Sequence, residues 1–162
     1  MGGEKWPGKS LLHLCGHKSN TLFLSHGDWD HINFIPKGRQ HLNGLCLYQW
    51  PHHGVSPIKQ RLLQTIPVCP KSFSFIQQIS PKTMSRSSTN DFSEIYIVNN
   101  QLLIPGDSPS SQEKVWRKKI AQPEKIRWLI AGHHGSRTST SKELLNSLPA
   151  IEQVIVSARK RK

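Results

Sequence analysis

The stretch from Thr21 to His31, Thr-Leu-Phe-Leu-Ser-His-Gly-Asp-Trp-Asp-His, constrains this chain more than any other. Thr21 to Leu24 are apolar or β-favouring and predict a strand. They run directly into a loop that holds His26, Asp28, Asp30 and His31 within six positions. Neutral imidazole and ionised carboxylate are both ligands for divalent first-row metals, and a strand end holds such groups rigidly while the loop curls around an ion. In extended chain His26, Asp28 and Asp30 project together, whereas the adjacent Asp30 and His31 must diverge, a split that suits two neighbouring ions better than one. The competing reading is a polar surface loop in which the same side chains act as caps. Four ligand-type residues packed this densely behind an apolar strand argue for a metal site.

At 162 residues, with 35% hydrophobic and 20% charged side chains, the chain suits one domain with a modest core. Lys and Arg number 22 against 10 Asp and Glu, a formal charge of +12 that favours anionic partners such as nucleic acid or an acidic membrane surface. The signal is diffuse, since Arg159 to Lys162 alone supply four of those charges. Cys15, Cys46 and Cys69 are odd in number and widely spaced, which argues against a disulfide framework or a structural zinc cluster. No apolar run approaches the roughly 18 residues of a membrane span, and Met-Gly-Gly-Glu-Lys lacks the apolar centre of a signal peptide. The default location is therefore cytoplasmic, or extracytoplasmic if the segment belongs to a larger membrane protein.

Along the chain, Leu11, Leu12 and Leu14 suggest a helical turn, and a brief helix after His31 should give way to a turn at Pro36 to Gly38. Leu42 to Trp50 reads as a strand and Pro57 to Gln64 as a short helix. His52 and His53, between them, are read as solvated loop residues rather than ligands. Residues 65 to 92 are rich in Ser, Thr, Pro and Lys and read as largely loop, with Phe73, Phe75 and Ile76 as apolar anchors and Ser85 to Asn90 flexible. Ile95 to Val98 and Gln101 to Ile104 read as a hairpin turned by Asn99-Asn100, because asparagine tolerates positive φ. Ser110-x-x-Glu113 predicts a capping box for a helix over Gln112 to Ala121 with Val115, Trp116 and Ile120 inward. Ile126 to Ala131 reads as a buried strand, Thr140-x-x-Glu143 as a second capping box for a helix over Ser141 to Leu148, and Gln153 to Ser157 as a last strand.

Three ordered segments resemble one family. Leu24-Ser25-His26-x-Asp28-x-Asp30-His31 resembles the HxDxDH variant of the metallo-β-lactamase superfamily motif, as found in the extracytoplasmic hydrolase-like domain of ComEC-type DNA-uptake proteins. Asn90-Asp91-x-Ser93, two strands and then Gly106-Asp107 are similar to that family's Asn-x-x-Ser to Gly-Asp segment. Gly132-His133-His134-Gly135-Ser136-Arg137-Thr138-Ser139 resembles its His-His-Gly-Ser-x-Thr-Ser signature. The resemblance covers most of residues 11 to 162 and implies an α/β fold, an αββα sandwich with a metal centre at one edge. The family domain starts with strands carrying an Asp-Val-Gly-Gln-Gly-like sequence and continues into a His-Pro loop and helix. Neither is found here, so the expectation is a partial domain, incomplete at its N-terminal strands.

The resemblance implies metal-assisted hydrolysis of a phosphodiester, with DNA as the partner. One or two divalent ions, zinc or manganese, would be the cofactor, the carboxylate-rich set moving preference toward manganese. His26 and Asp28 would bind the first ion, Asp30, His31 and either His133 or His134 the second, and Asp107 would bridge. Asp30 and Asp107 are the candidate catalytic residues, Asp30 also orienting the attacking water. Ser136, Arg137 and Thr138 are the candidate substrate-binding residues, Arg137 by its charge. Two other classes compete: an inactive DNA-binding module and a nonfunctional fragment. A β-lactamase or thioester hydrolase is a lesser alternative, disfavoured by Asp28 where those families generally keep histidine.

Overall fold

The computed structural model describes residues 19–33, 35–38, 42–49, 55–70, 73–81 and 88–157. The chain divides at residues 72/73 into two compact units. The expected turn over Leu11 to Leu14 and the pair His52 and His53 lie outside the described residues.

In the first unit, β1 (Thr21–Leu22) pairs in parallel with β2 (Cys46–Leu47), Thr21 opposite Cys46 and Leu22 opposite Leu47. Both strands are shorter than the hydrophobic runs at Thr21 to Leu24 and Leu42 to Trp50 predict. Leu24 nevertheless stays in the core, with Ile32, Ile35, Leu47, Leu63 and Ile66. Helix α1 (Trp29–Ile32) takes in the last two motif residues, Asp30 and His31, so Asp30 does not continue an extended chain from His26 and Asp28, and α2 (Ile35–Gly38) follows. The expected turn at Pro36 to Gly38 is thus helical, with proline in the first turn, where its missing N–H costs nothing. Helix α3 (Pro57–Gln64) has the predicted bounds, starting on proline after Ser56.

Cys46 and Cys69 form one disulfide, where the number and spacing of the cysteines argue against a disulfide framework. The backbone brings them together: Leu47 N donates to Pro67 O, Cys69 N donates to Leu47 O, and Leu47 bridges Val68 in parallel. Counting and spacing give no access to that proximity, because the 23-residue separation is closed by strand pairing.

The second unit is built on a five-stranded mixed sheet in the order β3-β4-β5-β6-β7, so the fold is α/β. The strands are β3 (Ile76–Ile79), β4 (Ile95–Val98), β5 (Leu102–Ile104), β6 (Trp128–Ile130) and β7 (Gln153–Ile155). The first three pair antiparallel and the last three parallel. Strand β3 corrects the reading of residues 65 to 92 as largely loop. Its Ile-Gln-Gln-Ile sequence has little apolar alternation, and pairing with β4 makes it a strand. Within Ser85 to Asn90, the described residues from Ser88 are ordered by a capping box in which Ser88 N donates to Asp91 Oδ2.

The β4–β5 hairpin turns at the predicted dipeptide, with Asn99 at φ 52° and Asn100 at φ 58°, both left-handed, and Gln101 N closing the turn on Val98 O before Leu102 pairs with Val98. The parallel connection β5 to β6 carries α4 (Ser110–Trp116), and β6 to β7 carries α5 (Lys142–Asn146). Trp116 and Ile120 are buried with Ile95, Ile97, Leu103, Ile126, Leu129, Leu144 and Leu148, whereas Val115 is exposed and is not part of the core. Helix α5 is capped by Ser141, whose Oγ accepts Leu144 N, one residue later than the predicted Thr140. A left-handed β-branched residue costs about 1–2 kcal/mol. Asn100→Val should therefore lower stability by about that amount, seen as a lower urea midpoint at unchanged slope.

Candidate metal centre

In the first unit, Asp28 occupies the cap position of α1, yet its carboxylate makes no cap hydrogen bond. One oxygen, Oδ2, lies 3.4 Å from His26 Nε2, and the other, Oδ1, lies 3.6 Å from Lys59 Nζ. Capping, the alternative role for such an aspartate, is therefore not what this side chain does. His26 is buried, and its Nδ1 sits 3.0 Å from Ser25 Oγ. The same hydroxyl reaches His31 Nδ1 at 3.5 Å, and the two imidazole centroids are 4.3 Å apart. His31 Nε2 then lies 3.8 Å from Asp30 Oδ2. Each histidine thus keeps Nδ1 on a hydroxyl and turns Nε2 toward a carboxylate.

In the second unit the same pattern recurs. His133 Nδ1 is 3.3 Å from Thr138 Oγ1, and His133 Nε2 is 3.8 Å from Asp107 Oδ2. Asp107 follows β5, is buried, and has its backbone N–H bound to Ser93 Oγ at 3.2 Å. His134 offers a ring nitrogen within 4.8 Å of an Asp107 carboxylate oxygen, while its Nδ1 lies 3.0 Å from Ser157 O beyond β7. The resemblance leaves His133 and His134 as equals, and both stand beside Asp107.

The His26–Asp28 pair has a spacing that fits a divalent ion. Two donors bound tetrahedrally to one ion at about 2.0–2.2 Å lie about 3.4 Å apart, which matches the His26–Asp28 spacing of 3.4 Å. Metal-binding histidine generally engages its other nitrogen with a neighbouring group, which fixes ring orientation. Ser25 and Thr138 supply that group here, and neither is identifiable from spacing alone.

The histidine loop after β6 is under backbone strain. His133 (φ 47°, ψ 50°) and His134 (φ 54°, ψ 25°) are both left-handed, and Gly135 follows at φ 83°. Two consecutive non-glycine residues there cost of order 1–3 kcal/mol each and persist only where surrounding contacts determine them. Those contacts come from α4 and from the Gly-Asp loop, where Gly106 O accepts His133 N at 3.0 Å. The buried carboxylate of Glu113 accepts the backbone N–H of Thr140 and of Ser141, the latter at 2.9 Å. Thr140 Oγ1 accepts Gly132 N at 2.8 Å, and Ser139 Oγ donates to Ser108 O at 2.9 Å. Trp116 Nε1 donates to Ser108 Oγ at 2.9 Å, so one helix fastens both the Gly-Asp loop and the histidine loop. Gly132 sits in a close approach, since a Cβ there would meet Ser139 Cβ at 3.1 Å.

One expectation changes. Ser110-x-x-Glu113 is not a capping box: Pro109 holds the cap position, and Glu113 serves the histidine loop. Ser136 and Thr138 bond each other at 3.0 Å, and Thr138 also supports His133, while Arg137 is exposed.

Comparison with known proteins gives limited guidance. The chain is 33% identical over 86 residues to Recombination protein 2 of Haemophilus influenzae, a match covering 51% of this chain and 10% of that protein. The chain therefore spans a small part of the length of the curated relative it matches. No protein-family model matches, and no solved structure matches. Among the described residues, no helix is long and apolar enough to cross a membrane.

Hydrogen bonds to a charged acceptor contribute about 1.5–3 kcal/mol. Glu113→Gln should therefore cost about 2 kcal/mol in urea unfolding and accelerate amide hydrogen exchange at Thr140 and Ser141. Unchanged protection at both amides would remove Glu113 from its structural role.

Proposed function

We propose that this chain is a metal-dependent hydrolase of the metallo-β-lactamase superfamily, similar to the ComEC-type domain, acting on phosphodiester bonds in DNA. The observation that supports this reading most is the threefold recurrence of one arrangement: His26 with Asp28, His31 with Asp30, and His133 with Asp107. In all three, Nδ1 is held by a hydroxyl and Nε2 faces a carboxylate. An αββα sandwich is the finer architecture that this reading carries. The ligands would be His26, Asp28, Asp30 and His31 in the first unit, and Asp107 with His133 or His134 in the second. Manganese and zinc both suit a mixed imidazole and carboxylate set.

When bound, such ions supply Lewis acidity, lowering the pKa of water toward neutrality and offsetting charge on phosphoryl oxygens. The chain's own residues do the rest. Asp30, about half exposed, orients the attacking water and accepts its hydrogen bond. Asp107, buried, would supply a ligand carboxylate, and the Ser93 hydroxyl fixes the backbone from which it projects. Arg137 and the wider excess of Lys and Arg hold the backbone phosphates of the substrate. Recombination protein 2, by its name, concerns DNA, which agrees with a nucleic-acid substrate.

Metal should stabilise the protein. Binding to the folded state alone raises stability by about 2.7 kcal/mol at a hundredfold excess over the dissociation constant. A thermal melt after chelation should therefore rise on adding Mn²⁺ or Zn²⁺, and a melt unmoved by either ion would count against the ligand set.

Asp107 separates an enzyme from a binding module. Asparagine keeps the shape of aspartate but loses its charge and most of its bridging capacity. Asp107→Asn should abolish metal-dependent cleavage of DNA and lower metal stoichiometry, while DNA affinity and its steep salt dependence stay unchanged. Equal cleavage by both proteins would sink the Asp107 assignment. DNA binding without cleavage in either would favour the inactive module.

A further inference from the structure

Helix α3 inverts the usual placement of apolar and charged residues. Its inner stripe carries Lys59, Leu62 and Leu63, at the spacing of one helical face, and Leu62 and Leu63, with Val55 before the helix and Ile66 after it, belong to or pack against the first unit's core. Lys59 lies on that stripe and is 9% exposed, while the neighbouring Ile58 is 68% exposed. Burying an ammonium group is costly unless it is paired. Lysine on a surface helix could instead extend into water, so its inward position reflects the groups it meets. Nζ lies 3.6 Å from Asp28 Oδ1 and 5.7 Å from the Trp29 ring centroid.

The two oxygens of Asp28 are therefore divided. Oδ1 faces the Lys59 ammonium, and Oδ2 faces His26 Nε2 at 3.4 Å. A fixed cation beside a ligand carboxylate draws on the same negative charge that attracts a divalent ion and repels the ion directly. An anion arriving with the ion offsets that repulsion, and the phosphodiester proposed as substrate is such an anion.

We propose that Lys59 is a positioning residue that makes metal loading at the first motif depend on a bound phosphodiester: it weakens the ion's hold on Asp28 until substrate charge is present. This rests on the assignment of His26 and Asp28 as metal ligands. The coupling is reciprocal, so metal must raise affinity for the phosphodiester by the factor by which the phosphodiester raises affinity for metal.

The test is calorimetric titration of Mn²⁺ into the full chain, with and without a saturating phosphorothioate-linked oligothymidine that resists cleavage. For wild type, the oligonucleotide should tighten Mn²⁺ binding about tenfold or more. Lys59→Met keeps the length and places an apolar group on an apolar face, so it should fold as well as wild type. It should bind Mn²⁺ alone about tenfold tighter, and gain less than about threefold from the oligonucleotide. Lys59→Arg should retain the wild-type coupling, and Lys118→Met, which removes an equal charge from an exposed site, should leave it intact. If Lys59→Met binds Mn²⁺ with wild-type affinity and coupling, or Lys118→Met reproduces its effect, the inference fails while the metal site stands. If wild type binds no Mn²⁺ in either condition, the ligand assignment fails and the inference falls with it. If Lys59→Met does not fold, a cooperative melt with wild-type coupling in Lys59→Gln overturns the proposal, and lost coupling in that variant supports it.

Discussion

The carboxylate of Glu113 is the interaction on which the second unit's candidate site depends. It is fully buried and accepts the backbone N–H groups of Thr140 and Ser141, holding in place a loop whose residues His133, His134 and Gly135 are all left-handed. A strained loop is retained only where fixed contacts outweigh its alternatives. Trp116, three residues on from Glu113 along the same helix, fastens Ser108 next to Asp107. One short helix therefore supports both the loop that carries the carboxylate and the loop that carries the imidazoles of this unit. This division of labour is typical of precise sites: ligand-type side chains sit at strand ends, and rigid neighbours carry their supports.

The first unit achieves the same end with fewer residues. A single hydroxyl, Ser25 Oγ, lies within reach of Nδ1 of both His26 and His31. Sharing one anchor brings the rings to 4.3 Å between centroids and leaves each Nε2 directed at its own aspartate. The backbone of the loop is fixed at the same point, since His31 N and Ile32 N both donate to Asp28 O. Beneath it, Ile32 and Ile35 are completely buried, so the helices after the motif anchor the loop to the core. The Cys46–Cys69 disulfide fastens the strand next to β1 to the segment after α3, closing the same small unit covalently.

Much of this was legible in the chain itself. The dense ligand-type run from His26 to His31, the Asn99-Asn100 turn and the bounds of α3 follow from local chemistry: ligand-type side chains, the tolerance of asparagine for positive φ, and proline at a helix start. These features are properties of a few adjacent residues, so the sequence alone determines them. Tertiary structure decided what depends on residues far apart in the chain. Cys46 met Cys69 only because parallel pairing closed the loop between them, and Ile76 to Ile79 became a strand only beside β4. Glu113 resembled a helix cap by spacing and became the anchor of a loop 27 residues later, because the fold presented it with two N–H groups from Thr140 and Ser141. Lys59 is turned inward beside Asp28 and Trp29, contacts that no periodicity encodes. The physical reason is common to all four: a residue's partner across the fold, rather than its own propensity, sets its energy once water is excluded.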